Sequence, residues 1–281
     1  MRVAKADGEL ETFDPHKLRA SLKRSGAEPE VVESIALDVE RGLYEGIPTH
    51  ELYAKAFKAL RSHKRHAAAR YSLKRAVLEF GPSGFPFEAY LGELFRAEKY
   101  TEVAIDQIVR GACVEHEVDV VYRDGEEKRW YVEAKFHNSL GFKTDLKTVL
   151  YVKARIDDIR DFVRASPGNG PHDARGLVVT NTKFTSVAVI YAQCKGLELL
   201  GWDYPLHHTL HERIDRARLY PITALTTLSR REKMALLSQK KVLCSDIVNN
   251  TLVLGTVGVV GSRAQRALAE VGALCVPGSD I

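Results

Sequence analysis

The run Gly81-Pro82-Ser83-Gly84 does more than any other stretch to limit what this 281-residue chain can fold into. Glycine and proline crowded together continue neither a helix nor a strand, so one structure must stop before them and another begin after. Upstream, Asp7-Gly8 separates two short strands, Arg2 to Lys5 and Leu10 to Phe13, in the manner of a hairpin. Helical spacing follows. Leu18 and Leu22 share a face of a segment opening at Asp14-Pro15. Val32, Ile35, Val39 and Leu43 mark a second helix over Glu30 to Tyr44, and Leu52, Ala56 and Leu60 a third that Thr49 can cap. A fourth is expected from about His66 to Glu79.

Downstream the period changes. Phe87 to Glu98 reads as an amphipathic helix, and Glu117 to Tyr122 and Lys128 to Phe136 read as strands joined through Asp124-Gly125. A long helix from about Asp145 to Ala165, a Ser166 to Pro171 loop, an apolar strand Gly176 to Thr180, a helix from Thr185 to Lys195 and a strand including Leu199 to Gly201 complete the pattern. That order supports a mixed sheet flanked by helices. After Pro205 short leucine-bearing helices and a glycine-punctuated tail indicate a small helical part. The chain also exceeds the length over which one core usually keeps growing. A multidomain α+β and α/β protein is expected, with parts at 1–80, 81–204 and 205–281.

No stretch approaches the roughly 18 apolar residues that span a bilayer, and the opening residues Lys5, Asp7, Glu9 and Glu11 lack a signal-peptide core. A soluble, cytoplasmic protein is the expectation. Cys113, Cys194, Cys244 and Cys275 form no Cys-x-x-Cys pair and are expected as buried free thiols. The net charge of +4 does not single out a nucleic-acid binder, so its distribution matters more. Arg61 to Arg75 holds six Lys/Arg and no acid, and Arg213 to Lys241 holds eight against two acids. Each is suited either to face phosphate or to form a solvated helix face.

Two constellations carry chemistry. In the first, Lys5 beside a glycine turn, Lys17 at a helix start and the Thr49 hydroxyl at another helix start are groups that favour phosphate oxygens. Val3-Ala4-Lys5-Ala6-Asp7-Gly8, Glu11-Thr12-Phe13-Asp14, Lys17-Leu18, Leu43-Tyr44-x-Gly46-Ile47-Pro48-Thr49 and Ala69-Arg70-Tyr71 follow in order and spacing. Together they resemble the ATP-cone, the allosteric module of ribonucleotide reductases and of their transcriptional repressor. The resemblance implies that ATP or dATP binds at Val3, Lys5, Glu11, Lys17 and Thr49, that the cone senses and does not catalyse, and that cones pair into homo-oligomers. Ala6 departs from the family, which often carries a basic residue there.

In the second, Glu133 and Lys135 alternate onto one face of a strand while Val132, Ala134 and Phe136 take the other, and Asp119 on the partner strand can meet them. Two carboxylates hold a hard cation such as Mg²⁺, and a nearby ammonium serves a water and a phosphate. The competing reading is a cross-hairpin salt bridge. An Asp, a hairpin and then Glu-x-Lys resembles the PD-(D/E)xK nuclease superfamily. Phe85-x-Phe87-Glu88-x-Tyr90-Leu91-x-Glu93-Leu94-Phe95 and Val178-Val179-Thr180-Asn181-Thr182-Lys183-Phe184 resemble the first helix and a later strand and loop of its Mrr-like restriction endonuclease branch. That resemblance, over 81–204, implies a restriction-endonuclease-like fold in which Asp119 and Glu133 bind Mg²⁺ and Lys135 serves the nucleophilic water. Glu88 is an additional acid. Val118 replaces the expected proline before the Asp.

His116 and His137 flank these strands as polar surface or as contacts to substrate, and His207, His208 and His211 read as linker. Val257 to Ala264 faintly resembles a helix-hairpin-helix, which presents backbone N–H groups to DNA phosphate, and equally fits a glycine turn between packed helices. The reading is a nucleotide-regulated, metal-dependent DNA endonuclease. A non-catalytic DNA-binding regulator on a nuclease scaffold and a nucleotide-sensing interaction protein are its competitors; a scaffold has no need of Asp119, Glu133 and Lys135 together.

Overall fold

The computed structural model describes residues 1–6, 8–165 and 174–275. Asp7 of the first expected turn and the expected Ser166 to Pro171 loop lie outside them. The chain divides into two compact units, one formed by Met1–Glu79 with Ser139–Gly141 and the chain from Tyr220 onward, the other by Phe80–Asn138 with Phe142–Leu219.

In the first unit β1 (Arg2–Ala4) pairs antiparallel with β2 (Leu10–Thr12), as the hairpin pattern requires. Gly8, at φ +85°, turns the chain so that its N–H reaches the Lys5 carbonyl at 3.0 Å. Next come α1 (Pro15–Arg24) and α2 (Pro29–Arg41). Asp14 caps α1 by accepting the His16 N–H at 2.8 Å. A two-residue strand that the sequence did not reveal, β3 (Ile47–Pro48), lies parallel on the free edge of β1. Beyond it α3 (Thr49–His63) runs on, and Val3, Leu22, Ile35, Ile47 and Leu60 form the core. The single helix expected from His66 to Glu79 is instead two, α4 (Arg65–Tyr71) and α5 (Leu73–Leu78). They part at Ser72, whose hydroxyl donates back to the Ala69 carbonyl at 2.9 Å, the local competition with helix geometry that serine offers.

The second unit opens with α6 (Phe85–Ala97). Its sheet combines antiparallel and parallel strands. β4 (Thr101–Arg110), β5 (Glu115–Arg123) and β6 (Arg129–Lys135) form an antiparallel meander. β8 (Ala174–Thr180) and β10 (Glu198–Leu200) continue from β6 in parallel. β4 escaped the sequence reading because it is a bulged edge strand: Glu102 and Asp106 take positive φ, which breaks the alternation. β7 (Lys143–Thr144) and β9 (Lys183–Phe184) pair beside the sheet. α7 (Leu146–Ala165), α8 (Ser186–Lys195) and α9 (Leu210–Ala217) complete the unit.

The sheet buries both faces, as parallel strands demand. On one, Phe95 and Phe87 of α6 meet Tyr122 and Phe136 at 4.6 and 5.7 Å between ring centroids. On the other, Val121, Tyr131 and Val178 pack with Val152 and Ile156 of α7 and Ala188 of α8. The close approach of α7 depends on Gly176, where a Cβ would stand 2.7 Å from Ile156 and 2.5 Å from Leu197.

After Tyr220 a 3-10 turn (Ile222–Ala224) leads to α10 (Arg230–Ser238), α11 (Cys244–Asn249), α12 (Val253–Thr256) and α13 (Gly261–Cys275). They belong to the first unit: Thr223 donates to the Ala76 carbonyl at 2.6 Å, and Arg70 to the Ala273 carbonyl at 3.5 Å. Gly258 and Gly261, both at positive φ, make the turn into α13.

Several basic residues prove to be internal tethers. Arg75 lies 3.7 Å over the Tyr53 ring, Lys233 donates to the Thr223 carbonyl at 2.6 Å, and Arg213 is paired with Glu98. The cysteine expectation needs correction. All four are free and Cys244 is buried, but Cys113 and Cys194 are exposed, because a turn and an outer helix face place them there whatever their apolar neighbours in sequence. Among the described residues no helix is long and apolar enough to cross a membrane.

Candidate functional site

The sheet forks at its centre. β5 and β6 are paired from Arg123 and Arg129 as far as Val120 and Val132. Beyond that rung β5 stays with β4, down to Glu115 opposite Arg110, and β6 stays with β8, up to Lys135 opposite Thr180. Asp119 and Glu133 are the first residues past the last shared rung and stand at the mouth of the fork. The Ala134 N–H, left without a strand partner there, is taken by Asp119 Oδ2 at 2.6 Å. Alternation holds as expected: Val132 and Ala134 are buried, Glu133 is half-buried and Lys135 is exposed.

The electrostatics of the fork are those of carboxylates gathered together. Burial, and then the charge of Glu133, push the Asp119 carboxyl up to about 6, although the Ala134 N–H and Arg155 pull it down. Glu88, on the first turn of α6, is pushed up to about 7 by burial and next by Asp119, with Asp106, Glu117 and Glu133 adding to it. Mutual repulsion of this kind is relieved by a cation. Among the described residues no three His, Cys, Asp or Glu side chains are grouped tightly enough to hold a metal by themselves. Two carboxylates nonetheless suit Mg²⁺, which completes its shell with water and substrate phosphate.

One site residue escaped the sequence reading. Arg155 of α7 donates from Nη1 to Glu133 Oε2 at 2.7 Å and from Nη2 to the Tyr151 hydroxyl at 2.8 Å. Its only signal was the Tyr151-x-x-x-Arg155 spacing, which puts both on one helix face. The two histidines are engaged by the fold. His116 meets Asp158 at 2.8 Å and holds that carboxyl down at about 2. His137 is clamped by Asn181, which accepts its N–H at 2.8 Å and donates to its carbonyl at 2.7 Å.

In the first unit the hairpin and α1 bring three expected residues into one ion network. Lys17 Nζ and Lys5 Nζ lie 2.5 and 2.8 Å from the two oxygens of Glu11, whose carboxyl they hold down at about 2, Lys17 more strongly. Val3 is opposite Glu11 across β1 and β2, with its side chain in the core. The β1–β3 ladder ends on Ala4 and Pro48, so Lys5 follows β1 and Thr49 follows β3 as the start of α3. The fold therefore gathers Lys5, Glu11 and Lys17, whereas Thr49, expected to cap α3, is its first residue behind Pro48 and makes no side-chain cap.

The family model for an ATP cone domain matches residues 1–77, that for a restriction endonuclease 82–203, and that for the C-terminal part of AF1548-like proteins 220–275. An uncharacterized protein of Archaeoglobus fulgidus is 35% identical over 171 residues, which cover 60% of this chain and 91% of that one. The chain belongs to that protein's family. The crystal structure of AF1548, a protein of unknown function, superposes with a TM-score of 0.54 at 29% identity, over 68% of this chain and 98% of its own. A repair endonuclease from Pyrococcus abyssi matches more distantly, with a TM-score of 0.30 at 22% identity over 40% of this chain and 45% of that one. The ATP cone thus holds the Lys5–Glu11–Lys17 network, and the restriction-endonuclease domain holds the fork.

Proposed function

We propose that the protein is a metal-dependent DNA endonuclease regulated by an adenine nucleotide bound in its cone. The observation that carries this is the pair Asp119 and Glu133, held side by side where the sheet divides, inside a domain of the restriction-endonuclease family. Asp119 and Glu133 would hold Mg²⁺, with Glu88 as a third carboxylate nearby. The ion, when bound, polarises the phosphodiester and lowers the pKa of a water. Lys135 supplies an ammonium to orient that water and to offset phosphate charge. In the cone, the triphosphate of ATP or dATP would take Lys5 and Lys17 from Glu11, with Thr49 alongside, and nucleotide occupancy would govern pairing of chains into a homo-oligomer or access to DNA.

The test is incubation of the full chain with plasmid and linear DNA, with Mg²⁺ or EDTA, and with or without ATP and dATP. Cleavage that needs Mg²⁺ and responds to nucleotide is expected. Asp119→Ala and Glu133→Ala should each lower the rate at least ~100-fold, the usual scale for losing a charge-stabilising group in a site, and Lys135→Ala should do the same with metal still bound. Tight DNA binding without cutting under every condition would make the protein a non-catalytic regulator.

A further inference from the structure

Arg155 is poorly explained as a structural ion-pair partner. Its side chain is 10% exposed and that of Glu133 18%, so the pair is largely removed from water. Such a pair is stable only when the remaining donors are also satisfied. Here they are not: Nη1 serves Glu133 and Nη2 serves the Tyr151 hydroxyl, while Nε is buried without a hydrogen-bond partner among the described residues. The guanidinium lies 4.7 Å over the Tyr151 ring, a platform along which it can slide without losing its cation–π contact. Its planar fork matches two oxygens of a phosphate, and its charge already acts on Asp119 as well as on Glu133.

We propose that Arg155 is a two-position catalytic arginine, which holds Glu133 while the site is free of metal and transfers to the scissile phosphate when a divalent cation takes Glu133. The inference rests on the nuclease reading of the fork. The Arg155 charge beside Glu133 disfavours a second cation there, so arginine and metal compete; once released, the guanidinium turns its idle Nε, with Nη2 on the same edge, onto two oxygens of the phosphate. No bond is made or broken in the exchange.

Competition has a sign that a purely structural salt bridge lacks. In the full chain at pH 8.5, Arg155→Met should raise Mn²⁺ affinity about tenfold by calorimetry, because the site loses a competing charge next to its carboxylates. Arg155→Lys keeps the charge and should leave Mn²⁺ affinity within about twofold of wild type. In EDTA, Glu133→Gln should tighten binding of a short DNA duplex about tenfold by releasing the arginine, and that gain should vanish in the Glu133→Gln/Arg155→Lys double variant, whose ammonium lacks the fork. Thermal melts confirm that each variant is folded, and the lysine variants carry the test should Arg155→Met not fold. Mn²⁺ affinity unchanged or weakened in Arg155→Met, or a DNA gain that survives in the double variant, would overturn the proposal. Failure of the wild type to cut any DNA, with both shifts present, removes the nuclease reading and leaves the exchange standing.

Discussion

A carboxyl whose pKa rises on folding makes the protein less stable as pH increases, because between the unfolded and folded values the native state holds the extra proton. Asp119 and Glu88 are such groups, lifted from 3.8 and 4.5 to about 6 and about 7. Without divalent cation the melting temperature should therefore fall between pH 4 and pH 7 on their account. Asp119→Asn should flatten that slope, and so should Mg²⁺ at neutral pH. Thermal unfolding in EDTA across this range is the measurement; an unchanged slope in Asp119→Asn would show that the fork is not under charge strain. Glu11 runs the other way. Its folded pKa is depressed by Lys17 and Lys5, so its contribution is present above 4.5 and lost as pH falls towards 2. Because those two lysines are the phosphate-binding groups proposed for the cone, Lys5→Ala or Lys17→Ala should weaken ATP or dATP at least about tenfold by calorimetry, the scale of one charge-assisted contact. Equal affinity in both variants would remove them from the site.

At the scale of elements, the fork depends on α7 lying close enough to the sheet for Arg155 to reach Glu133. Gly176 permits that approach, since any Cβ there would push on Ile156 and Leu197. Gly176→Ala should cost ~1–3 kcal/mol in a urea titration, the usual penalty of overpacking, and should also loosen the Arg155–Glu133 pair. A stability within about 0.5 kcal/mol of wild type would mean that α7 tolerates displacement. A second dependence lies in the C-terminal helices. Glu270 of α13 is buried and accepts the Thr226 and Thr227 N–H groups at 2.8 and 3.0 Å and the Thr227 hydroxyl at 2.7 Å. It satisfies the backbone of the turn before α10, which explains a charge in the middle of an apolar helix face.

For the whole molecule, the ATP cone and the C-terminal helices fall in one compact unit although the entire restriction-endonuclease domain separates them in sequence. A cone that responds to nucleotide by pairing needs different affinity for nucleotide in its single and paired states. Sedimentation of the full chain with and without saturating dATP should show a change in assembly. Superimposable profiles would leave access to DNA as the means of regulation.

Much of this was legible in the residues themselves. The Asp7-Gly8 and Asp124-Gly125 signals, the helical spacing of α1 to α3 and the alternation through Glu133 and Lys135 are set by local backbone preference and by the period of burial, both of which are written along the chain. Order and spacing were enough to name the ATP cone and the endonuclease domain. Other features belong to the tertiary structure. β4 is an edge strand whose bulge and positive-φ residues erase its period, and β3 is too short to have one. Ser72 divides a segment whose apolar spacing reads as continuous. Arg155 meets Glu133 only because α7 crosses the sheet, and its hydrogen bond spans 22 residues that no short pattern connects. The two carboxylates of the fork could be paired from the register of a hairpin, whereas the burial that lifts Asp119 and Glu88 arises from α6 and the sheet closing over them, a consequence of packing and not of sequence order.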